Sequence, residues 1–183
     1  MFRMRIYLFI FFILAYSSNV SSQNRIKWVT WEEAIEKSKK EKRKIFVDIY
    51  TDWCGWCKKL DKTTFAEEHI AKYINSNYYA VKFNAEMETS ITLKGQEYKF
   101  VKSGNRGYHE LAAQLLQGQM SYPSMVFMDE DFNIIQAIPG FQDIKTFEMI
   151  STYFGSNSHR NTPWNKYMQT FERYDFFNLP VGK

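Results

Sequence analysis

The chain has 183 residues, 45% of them hydrophobic and 24% charged, with a formal net charge of +4. That describes one domain of ordinary size, long enough to bury a core. The charge is too small to call for a nucleic-acid partner, and two cysteines are too few for a disulfide scaffold.

The N-terminus reads as a signal peptide. Residues 1–5 carry two arginines (Arg3 and Arg5), Ile6 to Ala15 is an apolar run, and small polar residues follow to Ser22. The run is short for a membrane span. Cleavage is expected before Gln23, and it would remove Arg3 and Arg5 and no acid, lowering the charge from +4 to +2. The alternative is an uncleaved signal that tethers the domain to a membrane. No cysteine stands there to carry a lipid anchor. Export implies an oxidising compartment, periplasmic or secreted, where disulfide chemistry is at home.

Thr30-Trp31-Glu32-Glu33 is a capping box that opens a helix to about Lys40, with Trp31, Ala34, Ile35 and Ser38 on one face. Basic residues crowd its end, from Lys37 to Lys44. Cations complement the dipole there, so a solvated face is the expected reading and an anionic partner the alternative.

The apolar run from Ile45 to Tyr50, broken only by Asp48, predicts a strand. It delivers the chain to Trp53-Cys54-Gly55-Trp56-Cys57-Lys58, which holds both cysteines. If a helix begins at Cys54 and runs to about Lys62, Cys57 falls one turn on and on the same side. Unpaired amides and the dipole at the helix start favour a thiolate, the form that attacks a disulfide. Cys57 can then resolve the mixed disulfide by closing a tight ring. Trp53 and Trp56 make an apolar rim suited to an unfolded or peptide-like substrate. Two rival readings stand beside this one. A zinc site needs about four ligands, and His69, His109 and His159 are scattered. A static disulfide would close a very small loop and constrain the unfolded chain little. Redox chemistry is favoured over both.

A helix is predicted from Phe65 to Ile74, a turn at Asn75–Asn77, and a strand from Tyr78 to Phe83 with Lys82 near its end. Alternating strands and helices argue for α/β organisation around a central sheet. Ile91 to Val101 reads as a β-hairpin about Lys94-Gly95, residues 103–107 as a loop, and Tyr108 to Gln117 as an amphipathic helix ending at Gly118. Pro123 opens the next strand, so it lies at an edge or has a special backbone geometry. A turn at 129–133 leads to the strand Ile134–Ile138, which Pro139-Gly140 ends. Asp143 caps a helix to about Phe154, closed by Gly155. After a polar linker at 156–161, Thr162-Pro163 starts a final helix, with the hydroxyl at the N-cap and proline at N1. Its stripe of Trp164, Tyr167, Met168, Phe171 and Tyr174 is expected to pack on the domain's own surface, with docking of a partner as the alternative.

Taken together, these residues resemble the thioredoxin fold over about residues 27–155. The resemblance rests on Trp53-Cys54-Gly55-x-Cys57-Lys58 after a strand containing an acid, on Ser121-Tyr122-Pro123 before a later strand, and on Gly140 after the last one. The fuller pattern at 48–65, with Tyr50, Asp52, Asp61, Lys62, Thr64 and Phe65, is similar to exported bacterial thioredoxin-like domains. These include the soluble end of the membrane transporter that carries reducing electrons to the periplasm.

The resemblance implies an α/β thioredoxin-like fold, a central mixed sheet flanked by helices. The chain then divides into a signal peptide at 1–22, the domain at 23–155 with a hairpin insertion at about 87–105, and a linker with an extra C-terminal helix at 156–183. Cys54 would be the attacking nucleophile and Cys57 the resolving thiol of a redox disulfide. Asp48 matches the buried acid whose raised pKa lets it deprotonate the resolving cysteine, and Lys82 the lysine near that acid. Pro123 matches the cis-proline loop that pairs with substrate as an extra strand. Gly140 leaves room for the substrate chain, and Trp53, Gly55, Trp56 and Tyr122 complete the substrate-binding set. The simpler readings are an edge or turn acid at Asp48, a solvated Lys82 and a trans edge proline at Pro123. Trp56 departs from the pattern: the commonest reductases have proline there, and strong oxidants or isomerases have histidine. This leaves the potential open but points away from a strong oxidant. The expected function is an exported oxidoreductase that reduces protein disulfides; a binding or chaperone module without turnover, or an oxidase or isomerase using the same site, are the alternatives. Expected partners are a disulfide-containing protein or peptide and a membrane or soluble thiol electron donor. No metal, organic cofactor or nucleic acid is expected, and the chain is expected to be a monomer.

Overall fold

The computed structural model describes residues 25–171; the signal-peptide reading at 1–22 and Tyr174 lie outside the described residues. The chain runs β1 (Trp28–Val29), α1 (Trp31–Lys40), β2 (Lys44–Tyr50), α2 (Gly55–Lys62), a 3-10 turn (Thr64–Ala66), α3 (Glu68–Asn77) and β3 (Tyr78–Asn84). Two short hairpins follow, β4 (Ile91–Leu93) with β5 (Gln96–Tyr98) and β6 (Phe100–Ser103) with β7 (Arg106–His109). Then come α4 (Glu110–Leu115), β8 (Ser124–Met128), β9 (Ile134–Pro139), α5 (Ile144–Gly155), a 3-10 turn (Ser158–Arg160) and α6 (Trp164–Thr170). Among the described residues no helix is long and apolar enough to cross a membrane.

The main sheet has the order β1-β3-β2-β8-β9. β1, β3 and β2 are parallel, and β8 and β9 are antiparallel to their neighbours, so the sheet is mixed, as expected. β2 sits at the centre and is buried on both faces, which explains its near-continuous apolar run. Side chains alternate along a strand. Phe46, Tyr78, Ala80, Met125 and Phe127 pack with Leu60 of α2, Ile70 of α3 and Phe147 of α5. Ile45, Val47, Ile49, Val81 and Val126 pack on the other face with Trp31 of α1 and Leu111 and Leu115 of α4. Helices on both faces of one sheet make the α/β sandwich.

Local signals act as read at several points. Thr30 and Glu33 form both arms of the capping box, and the Asp143 carboxylate accepts the Thr146 amide at the start of α5. Lys94 and Gly95 both have positive φ, 52° and 80°, as a type I′ hairpin requires.

Other elements differ from expectation. The helix predicted from Phe65 begins only at Glu68, after a 3-10 turn, and continues through Asn75–Asn77 instead of turning there. The Asn75 amide group is used for tertiary contact: Oδ1 accepts the Lys27 N–H and Nδ2 donates to the Arg25 carbonyl. The expected loop at 103–107 is the tip of a second hairpin, and Tyr108 belongs to β7, so α4 starts later, behind a His109 cap. Gly155 is the last residue of α5, and Asn157, with φ 64°, makes the reversal. Thr162 is not the N-cap of α6. Pro163 occupies that position without a side-chain hydrogen bond, and the Thr162 carbonyl instead accepts the Tyr153 hydroxyl. The expected linker holds a 3-10 turn whose His159 ring lies against Phe154. Trp164, Tyr167 and Phe171 pack on the domain's own core, while Met168 is exposed.

Candidate active site

β2 ends at Tyr50 in the middle of the sheet, and after four intervening residues the chain enters α2 at Gly55. The turn is closed by the Cys54 amide, which donates to the Thr51 carbonyl at 3.1 Å. The Asn84 side chain, at the end of β3, donates to the Asp52 carboxylate at 3.2 Å. Cys54 is thereby the N-cap of α2, and its Sγ accepts the Cys57 amide N–H at 3.0 Å. Unpaired amides and the helix dipole concentrate positive potential at this point, so negative charge on that sulfur is stabilised. Cys54 and Cys57 are joined by a disulfide with a Cα–Cα distance of 5.3 Å. Gly55, Trp53 and Trp56 stand exposed around the buried pair, the two indoles more than half so at 52% and 57%.

Asp48 sits in β2 on the Phe46 face, the side that α2 covers with Cys57 and Leu60. It is 1% exposed. Its Oδ2 accepts from the Lys82 ammonium at 2.5 Å, and its Oδ1 has no hydrogen-bond partner among the described residues. Burial pushes its pKa from 3.8 up to about 6; the Lys82 charge opposes that rise and Asp61 adds to it. A carboxyl poised there can take and release a proton close to neutral pH, behind the helix that carries Cys57.

Lys82 is not a solvated lysine. It bridges Asp48 to Asp61 of α2, and the rings of Trp28, Tyr50 and Phe65 lie 5.0 to 5.5 Å from its ammonium. Burial pulls its pKa down, but the Asp48 and Asp61 carboxylates outweigh that and raise it, so it stays charged. Asp61 belongs to the 48–65 pattern, but its spacing there implies no role. Its place in this bridge depends on β3 pairing beside β2, which no local signal reveals.

The Tyr122–Pro123 peptide bond is cis, and Pro123 is buried at the start of β8. Its carbonyl accepts the Gly140 amide at 2.8 Å. Gly140 has φ +88°, a conformation that favours glycine, and a Cβ built there would meet no atom within 4 Å. The Tyr122 ring meets Trp53 edge-on, 5.9 Å between centroids, and burial, followed by the Glu86 charge, pushes its pKa up to about 12.

Each tryptophan has further neighbours. The Trp53 indole N–H is shared between both Glu86 oxygens at 3.0 Å, and the Arg106 guanidinium lies 4.8 Å over its ring. Trp56 lies 5.6 Å from the Phe141 ring, with the Lys59 ammonium over both. Arg106 and Glu86 were not among the residues expected at the site.

An α/β protein that presents a Cys-x-x-Cys disulfide on a helix N-terminus, over a buried carboxylate, is defined as a class by these features. Residues 31–155 match the model of the thioredoxin-like domain family, and the chain belongs to that family. Among curated proteins it is 30% identical over 88 residues to an uncharacterized protein of Caenorhabditis elegans, covering 48% of this chain and 12% of that protein. The chain therefore spans only a small part of the length of that relative. Among solved structures it is similar to a candidate disulphide-isomerase of Bacteroides thetaiotaomicron, with a TM-score of 0.52 and 21% identity over 75% of this chain and 98% of the other. It is also similar to a thioredoxin-fold protein of Helicobacter pylori, with a TM-score of 0.53 and 16% identity over 70% and 79% of the two chains. At these identities the likeness shows the fold alone. Family and cysteine pair together support a thiol–disulfide oxidoreductase in general terms.

Proposed function

We propose that this protein is an exported thiol–disulfide oxidoreductase that mainly reduces disulfides in protein or peptide substrates. The observation that carries the reading is Cys54 Sγ as the N-cap of α2, in a disulfide with Cys57, over a carboxyl with a pKa of about 6. In the reduced protein the Cys54 thiolate attacks a substrate disulfide, forming a mixed disulfide and expelling one substrate thiolate. Cys57 gives its proton to Asp48 and attacks Cys54 Sγ, forming the Cys54–Cys57 disulfide and releasing the second substrate thiolate. Two electrons pass to the substrate, and the released thiolates take up protons. A thiol donor, membrane-bound or soluble, returns the pair to the dithiol. Trp56, in place of histidine, supports the reducing direction, and the basic and apolar segments at 1–22 support export.

The test is a pair of substitutions. Cys54→Ser abolishes turnover of a disulfide substrate, and Cys57→Ser accumulates mixed disulfides that dithiothreitol releases. Turnover that survives Cys54→Ser ends the proposal.

A further inference from the structure

The two exposed indoles that flank the disulfide each carry a cation. Arg106 covers Trp53 on one side of the site, and Lys59 covers Trp56 and Phe141 on the other. Neither cation has a carboxylate within ion-pair distance among the described residues. The nearby carboxylates are already engaged by neutral donors, Glu86 by the Trp53 indole and Asp52 by the Asn84 amide. Those neutral donors leave the two carboxylates charged, but neither anion pairs with Arg106 or Lys59, so both cations keep their N–H groups for whatever lies across the disulfide.

Arg106 is presented by an anchored element. It pairs with Ser103 near the tip of the β6–β7 hairpin, and the base of that hairpin is fixed where Phe100 pairs with the buried His109. Next to Arg106, the Phe100 ring lies across Gly107 so closely that a Cβ would stand 2.1 Å from its Cζ and 2.5 Å from the Val101 carbonyl oxygen. A guanidinium stacked on an indole keeps its N–H edge free, and that planar fork matches a carboxylate.

We propose that the β6–β7 hairpin completes the substrate cleft and selects disulfides flanked by acidic residues, with Arg106 as the principal specificity residue and Lys59 as the second. The substrate class is an acidic peptide segment that lies across Cys54 between the two tryptophans. The inference rests on the oxidoreductase reading above and extends it to substrate choice.

The experiment compares reduction of three fluorogenic peptide disulfides, identical except for Glu, Gln or Lys on either side of the cysteine, by the reduced protein. The Glu peptide is expected to have the highest kcat/KM and the Lys peptide the lowest. An exposed charge contact is worth up to a factor of about five, so Arg106→Ala lowers the Glu-to-Lys ratio about fivefold and Arg106→Glu inverts it. Lys59→Ala gives a smaller fall. Gly107→Ala, which keeps the Arg106 side chain but shifts the hairpin that presents it, also lowers the ratio. About 0.5 M salt compresses the preference in the unsubstituted protein, because exposed charges are screened. Equal reduction of all three peptides, or a ratio indifferent to Arg106→Ala, overturns the inference while leaving the oxidoreductase intact. Failure to reduce any of the three strikes the oxidoreductase reading itself, and the inference falls with it.

Discussion

Asp48→Asn separates the two forces that act on the buried carboxyl. Burial raises its pKa from 3.8 to about 6 in spite of the Lys82 ammonium at 2.5 Å. Because the folded state binds this proton more tightly than the unfolded chain, the contribution to stability is fully present below pH 3.8 and is lost as the pH rises through 6. At about 1.4 kcal/mol per pH unit, ionised Asp48 costs the folded protein about 3 kcal/mol at pH 7. Asparagine keeps the shape without the charge, and Lys82 retains Asp61. The oxidised Asp48→Asn protein should therefore be the more stable of the two at pH 7, by up to about 3 kcal/mol. The advantage should shrink between pH 6 and 4 and vanish below. Urea denaturation of both proteins from pH 3.5 to 8 measures the difference directly, since the other titrating groups are common to both. A difference that does not change with pH would show that the Lys82 pair cancels desolvation, and a variant less stable at pH 7 would show that the pair outweighs it. The same substitution should slow resolution of the mixed disulfide by at least about a hundredfold, the usual contribution of a general base, as followed by stopped-flow tryptophan fluorescence.

Two further outcomes test the frame around the site. Phe46 is fully buried and touches the rings of Trp28, Phe65, Tyr78, Phe127 and Phe147. Phe46→Ala should cost about 3–5 kcal/mol in chemical denaturation, and a loss under 1 kcal/mol would mean that the cluster does not anchor β2. Thr30→Ala removes one arm of the capping box that begins α1 and should cost about 1 kcal/mol, with reduction of substrate unaltered.

The residues legible in the sequence are those whose signals lie within a few positions of one another. The Cys54–Cys57 spacing, the Thr30–Glu33 box and the Asp143 cap all act through a single turn of helix, so the composition of one segment suffices to place them. The misplaced elements are those decided by distant contacts. Asn75–Asn77 has the composition of a turn, yet Asn75 is held by hydrogen bonds to Arg25 and Lys27, and the last turn of α3 persists. The second hairpin shows no clean alternation in its sequence. It is set by Gly107, whose missing side chain lets Phe100 close over it. The same distance limit hid the second layer of the site. Asp61 and Arg106 reach Lys82 and Trp53 only after the chain has folded. The departure at α6 has a similar cause, since the Thr162 carbonyl is drawn to Tyr153 and the helix start moves to Pro163.

The reduction potential of the Cys54–Cys57 couple, equilibrated against a glutathione series on the oxidised and reduced protein, tests the central claim most directly. A value near about −270 mV or below, the range of thioredoxin, is the predicted result and makes the protein a reductase served by a thiol donor. A value near about −120 mV would make it an oxidant and contradict the account, as would a pair that does not cycle at all.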